Sequence, residues 1–313
     1  MNGIYPFLVF LVVIFLYIHI ISEYKVSEDL EVYEMDYKSN SNLQETCDVR
    51  QPVIFELPTR INFPSLETFK QPLTIKDLKD YRDVDKISID SVELPCSTYL
   101  QLIKNDASSS YFSENNHTFI DESGLGKLFT ELDVYLKPNN VLSTKHDILI
   151  ASDGVCTPFR YHTDSRRYLY VANGLVKIKM TSKKFSKYLN EIQDFENLEF
   201  RSQIDVWNNS TMLDKIQFIE FDIQCGQVVY IPSFWWHSIK YSAPDTLLLE
   251  CKYSSFANKV AFGFDLFRHY LQQHNIIRGY KCAVINKSEK DDVDDVDDVD
   301  DVEEDVIVSE QTI

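Results

Sequence analysis

His162-Thr163-Asp164 sets an imidazole and a carboxylate two residues apart. On a strand, residues at that spacing point to the same face, so the pair can address one cation from one side. A third ligand has to come from a distant segment. His237 is the candidate, in FWWHSIKYS directly after the apolar run QVVYIP (227–232). Two imidazoles and a carboxylate on one face of a metal leave its other positions open, an arrangement that suits Fe(II), with cosubstrate and O₂ taking the open positions. Zn or Mn doing isomerase or hydrolytic chemistry is the alternative use of the same donors.

A lone His-x-Asp is weak in a chain with 7 His and 49 acidic residues. Its surroundings carry the argument. QPVIFEL from Gln51 reads as a short buried strand, and 74–104 as one or two short helices mixed with strand-like pieces such as KISID. GLGKLFTELDVYL (124–136) has Leu125, Leu128, Phe129, Leu132 and Leu136 at helical spacing. HDILIA (146–151) reads as a strand. RRYLYVA and LVKIKM flank Asn173-Gly174, which predicts a hairpin with a type I′ turn. A helix is expected over 182–195. Strands are expected at 217–223, 227–232 and 246–254, with an amphipathic helix at 261–274. His146, His269 and His274 carry no motif and read as structural. No GxSxG, P-loop or dinucleotide fingerprint appears.

At these residues the sequence resembles the cupin-like JmjC hydroxylase family, in which His-x-Asp lies on a core strand. The family's second His follows a G-D-x-x-x-I-P-x-x-W-x-H segment. Here that segment reads Gly226-x-Val-Val-Tyr-Ile-Pro-x-x-Trp-Trp-His237, with Gln227 where the family has Asp. Tyr168 stands where relatives often have Asn. The resemblance is specific over 157–181 and 217–253, diffuse over 50–150, and covers neither terminus. It implies a mainly β fold with flanking helices, a double-stranded β-helix (jelly roll) with its core barrel at about 146–254. It also implies Fe(II) on His162, Asp164 and His237, with 2-oxoglutarate as cosubstrate. Lys177 is then the expected partner of the cosubstrate carboxylate, with Thr157 and Lys252 beside it. The implied activity is a dioxygenase that hydroxylates, or demethylates by hydroxylation, a protein side chain or small molecule. A non-catalytic cupin-fold binding or scaffold protein at a membrane is the alternative. The 261–274 helix resembles C-terminal helices through which similar proteins form homodimers.

The ends of the chain are of different character. From Ile4 to Ile21 the sequence has no Lys, Arg, Asp or Glu, long enough to span a bilayer. No small-x-small cleavage site follows it, so 1–25 reads as an uncleaved transmembrane anchor. Which side of the membrane the rest occupies is not encoded in its flanks, which hold only Lys25 among several acids. Residues 26–50 read as a polar stalk and 51–285 as the cupin-like domain. The DDVDDVDDVDDVEEDV run places a disordered acidic tail at 286–313. A net charge of −18 argues against a nucleic-acid partner. The six cysteines are widely spread, with no CxxC, so zinc-ribbon frameworks are not expected and disulfides stay open. Sequons at Asn116, Asn208, Asn209 and Asn286 would permit glycosylation of a lumenal domain. Scarce Gly with abundant Asn, Lys, Ile and Tyr suggests an AT-rich genome, as in large DNA viruses and some protists.

Overall fold

The computed structural model describes residues 4–83, 86, 88–208, 211–274 and 281–282. Helix α1 (Ile4–Tyr24) is followed by β1 (Tyr33–Glu34), α2 (Asn40–Cys47), β2 (Val53–Glu56), β3 (Pro72–Asp77) and α3 (Leu78–Arg82). Then come β4 (Val92–Pro95), α4 (Cys96–Lys104), β5 (Tyr111–Ser113), α5 (His117–Ser123) and α6 (Gly126–Leu136). The strand-rich part runs β6 (Val141–Ala151), β7 (Arg160–Tyr161), β8 (Arg166–Asn173), β9 (Leu175–Thr181), β10 (Glu191–Asp194) and β11 (Glu199–Ser202). It continues with β12 (Ile219–Gln224), β13 (Gln227–Ile231), β14 (Trp236–Tyr241) and β15 (Leu247–Ser255), then α7 (Phe256–Ala261), α8 (Gly263–Gln273) and β16 (Lys281–Cys282).

The strands form two sheets. One has the order β1-β2-β13-β8-β15-β6-β5-β3-β4 and the other β12-β9-β14-β7-β11-β10-β16. All pairings are antiparallel except β1 with β2. Strand alternation sorts the side chains. Leu169 and Val171 on β8, Leu248 on β15 and Leu149 on β6 pack between the sheets with Val176, Ile178 and Met180 of β9 and Ile239 of β14. Tyr168, Tyr170, Leu249, Cys251 and Tyr253 point the other way and pack with α2, α4, α5 and α6 through Leu43, Tyr99, Phe119, Phe129 and Leu132. With both faces covered, β8 is buried from Arg166 to Val171, which is why that stretch reads as a continuous run rather than an alternating one.

The Asn173-Gly174 turn does not close a hairpin. β8 pairs with β13 and β15, whereas β9 pairs with β12 and β14 in the other sheet. The turn steps between layers because the apolar residues of β9 have to face Leu169 and Val171 across the core rather than lie beside them. Gly174 adopts φ +85°, and a Cβ there would sit 2.8 Å from Thr246 Cα. The helix expected over 182–195 is also absent: a 3-10 turn (Lys183–Tyr188) gives way to β10, which pairs with β11. Asn190, at φ 45°, stops helical propagation between them.

Residues 26–50 are not a free stalk. Leu43 and Cys47 of α2 are fully buried in the core, and β1 extends a sheet. Ser39 caps α2, accepting from the Asn42 amide. Helix α1 is long and apolar enough to cross a membrane over Tyr5–Tyr24, and its apolar surface is exposed. Asn116 is buried and donates to Ile148 O and Ser113 Oγ, so that sequon is closed to glycan. Asn208 is exposed. Asn209, Asn286 and the tail at 286–313 lie outside the described residues. Cys47, Cys96, Cys156, Cys225 and Cys251 are free thiols.

Candidate functional site

The core between the sheets changes from apolar to polar along the strands. On β8, Val171 and Leu169 are followed on the same face by Arg167. On β15, Leu248 is followed by Glu250 and Lys252. On β6, Ala151 and Leu149 precede Asp147, and on β14, Ile239 precedes His237. Ladder register sets Lys252 beside Arg167 and Glu250 beside Asp147. His162 and Asp164 reach this end from the segment joining β7 to β8. The result is a buried cluster of charges at one end of a β sandwich.

Arg167 is the centre of this cluster, and the sequence reading did not single it out. Its guanidinium ion-pairs with Glu250, and Nη1 lies 2.7 Å from His237 Nε2. The other ring nitrogen of His237, Nδ1, lies 3.1 Å from the Trp235 carbonyl. A carbonyl only accepts and a guanidinium only donates. His237 is therefore assigned as neutral, with Nδ1–H donating to Trp235 and the Nε2 lone pair accepting from Arg167. Burial, then the Arg167 charge, holds His237 well below its usual titration range. His162 Nε2 faces Ile231 O at 3.0 Å, which leaves Nδ1 unprotonated; that atom is buried and has no hydrogen-bond partner. Burial and Arg167 push His162 down to about 3. Asp164 accepts from Ser254 Oγ at 2.9 Å. Burial works to raise Glu250, but Arg167 and Lys252 outweigh it and hold the carboxyl at about 2.

The sequence thus brings His162, Asp164 and His237 to one end of the core without making them converge. Among the described residues, their ligand atoms are not a set lying within 4.8 Å of one another, and the lone pair of His237 that a metal would need is taken by a permanent cation. The donors as placed do not fit a resident Fe(II) or other divalent ion.

The expected cosubstrate residues separate. Lys177 points outward, because Val176 and Ile178 take the interior positions of β9. Its amine lies 3.4 Å from Glu220 and 3.9 Å from Asp222, and its side chain is 38% exposed. Thr157 Oγ1 accepts from the Ile239 amide at 2.9 Å, and its own amide donates to Ile239 O, so it is a strut under β14. Lys252 does face the polar cluster, 2.7 Å from Glu250.

A second buried network adjoins the first. Arg160, paired with His237 across the β7–β14 ladder, donates from Nη1 to Glu114 and Glu199 at 2.9 and 3.0 Å. Lys76 donates to Glu114 at 2.8 Å, and Tyr81 donates to Glu199 at 3.2 Å. These residues were legible only as a lysine inside the apolar run PLTIKD and an arginine two places before His162.

Among the described residues, the group whose metal-binding atoms all lie within 4.8 Å of one another is Asp133, His146 and Cys251. It sits on the opposite face of the nine-stranded sheet, under α6, and could hold a metal ion. Its atoms are also tied to one another. His146 Nε2 lies 2.9 Å from Asp133 Oδ1, Tyr253 donates to the same oxygen at 2.6 Å, and Phe129 stacks on the His146 ring. Burial pushes the Cys251 thiol well above its usual value, so a metal there would have to displace a proton. A cavity of about 470 Å³ lined by Arg60, Phe63, Leu100, Lys104, Asn173 and Asp245 lies elsewhere. It is six residues along β8 from Arg167, roughly 20 Å at the strand rise.

No family model matches the chain, and no curated protein matches it with significant similarity.

Proposed function

We propose that this chain is a membrane-anchored, non-catalytic binding or scaffold module built on a double-stranded β-helix. The strand order supports the jelly-roll reading. β13-β8-β15-β6 in one sheet lies over β12-β9-β14-β7 in the other, and apart from the step from β9 to β12, successive strands of this set change sheets. The single observation that carries the functional reading is the Arg167 guanidinium on His237 Nε2, ion-paired with Glu250. A guanidinium is not deprotonated in proteins, so it supplies the positive charge that a metal would otherwise bring to these donors. The outward register of Lys177 removes the expected 2-oxoglutarate anchor as well. The test is 2-oxoglutarate turnover by the purified full chain supplied with Fe(II) and ascorbate. Succinate formation at the level of the heat-denatured control is expected. Turnover that is lost in both His162→Ala and Asp164→Ala would overturn the proposal.

A second reading, an Fe(II)- and 2-oxoglutarate-dependent dioxygenase, has one observation in its favour. His162 Nδ1 is buried and unpartnered, as a ligand atom awaiting a metal would be. It requires Arg167 to leave His237 and the cosubstrate carboxylate to find Lys252 rather than Lys177.

A further inference from the structure

Helices α7 and α8 carry an apolar face that packing among the described residues does not explain. Phe256, Val260, Phe264, Phe267 and Tyr270 are all exposed. Their spacing of three or four residues aligns them within each helix, and no residue of α8 is buried. Exposed apolar patches of this kind mark interaction sites.

What covers this face is indicated by its position. α7 packs against α1. Tyr24, at the end of α1, donates to Ala261 O at 2.5 Å, and its ring meets Phe262 at 5.1 Å. Glu23 is buried against Arg50, and Ile20 and Ile21 are half-buried. The apolar span of α1 therefore ends beside the C-terminal end of α7, one helical turn from Ile21, which is about 5 Å along the axis. Cations ring the same place. Lys183 lies 4.1 Å from the centre of the Phe234 ring and 5.9 Å from that of Tyr24, and Lys184 donates to Glu28 O. Lys187 is exposed on the same 3-10 turn, and Arg268 covers Phe264 at 4.6 Å. Glu191 acts on Lys183, and Glu191 and Arg268 both act on Asp265, so the four cations are partly offset. What sets this place apart is cations interleaved with exposed aromatics in a chain of net charge −18.

We propose that the α7–α8 face and the Lys183–Lys187 turn form a platform that lies on the bilayer surface, with the aromatic side chains among the lipids and the cations on anionic headgroups. Aromatic residues collect at the membrane interface, and helices with one apolar face and basic flanks bind there. The proposal rests on α1 crossing the membrane. It assigns the exposed face of 256–270 to lipid rather than to a second copy of the chain.

The test uses the full chain reconstituted in phosphatidylcholine vesicles with and without phosphatidylserine. Phe267→Trp and, as a control on the far side of α6, the exposed Val134→Trp are compared for quenching by brominated lipid. Quenching at position 267 at least about twofold above that at 134, stronger with phosphatidylserine, is expected. It should weaken toward the phosphatidylcholine level when Lys183, Lys184 and Lys187 are changed to Glu. Equal quenching at both positions overturns the platform. So does a chain that is dimeric in detergent and becomes monomeric on Phe264→Glu/Phe267→Glu, since that would assign the face to a second copy. Alkaline carbonate extraction separates the two levels. Release of the chain from the membrane refutes the α1 anchor itself, whereas retention without quenching at 267 refutes only the platform.

Discussion

Replacing Arg167 with methionine removes one charge from the sandwich core while keeping most of the volume. Arg167 and Glu250 are both almost fully buried, with side-chain exposures of 4% and 1%. The substitution leaves the Glu250 carboxylate with Lys252 as its ion-pair partner and Arg160 acting on it at longer range, and strips His237 Nε2 of its donor. Breaking a buried pair in this way costs about 3–5 kcal/mol. For a domain of this size that is a fall in melting temperature of roughly 6–20 °C, at about 2–4 °C per kcal/mol. The acid limb should change too. Glu250 titrates at about 2 in the folded chain against an ordinary value of 4.5. Its pairing therefore stabilises the fold above pH 4.5, and that contribution is lost as pH falls toward 2. Without Arg167 the Glu250 carboxyl titrates higher, so the loss of stability through this window becomes shallower. Adding Glu250→Gln to Arg167→Met should recover part of the loss, with a coupling of at least about 1 kcal/mol. Urea unfolding of the full chain in detergent, followed by near-ultraviolet dichroism of Trp235 and Trp236, measures all of this. A cost within about 1 kcal/mol and no coupling between the two positions would refute the reasoning.

Three further outcomes are expected. Gly174→Ala places a Cβ 2.8 Å from Thr246 Cα at a φ of +85°, and should lower stability by at least about 1–2 kcal/mol, read as an unfolding midpoint. Lys177→Ala removes an exposed pairing with Glu220 and should cost less than about 1 kcal/mol. A large loss there would show that Lys177 serves the interior. Asn116→Ala leaves the half-buried Thr74 amide and the buried Ile148 carbonyl without their partner, about 1–3 kcal/mol for the buried group. Thermal unfolding checks it, and a change smaller than 1 °C would contradict the buried placement.

Much of the strand pattern was legible because burial on one face or both writes itself into the sequence: β13 and β15 fall at 227–231 and 247–255, where apolar runs placed them. Where the reading failed, the deciding contacts were between layers. Asn173-Gly174 has the local chemistry of a hairpin turn, and only the need to cover Leu169 and Val171 from the second sheet sends β9 away from β8. The same one-residue phase decides Lys177. Counting residues from Asp164 puts it near the core, but the layer step leaves Val176 facing inward. The ends of the candidate site were visible in His162, Asp164 and His237. Arg167 was not, since an arginine beside another arginine in RRYLYVA looks like a solvated strand end until the partner strand brings Glu250 against it.

Metal binding by the full chain in detergent at neutral pH tests the central claim most directly. Titration with Fe(II) under anaerobic conditions, read by calorimetry and elemental analysis, should give no saturable site that depends on His162 or His237. Any ion retained should instead be lost with His146→Ala, which assigns it to the Asp133, His146 and Cys251 group. One ion per chain, abolished by His162→Ala and by His237→Ala and untouched by His146→Ala, would contradict the account.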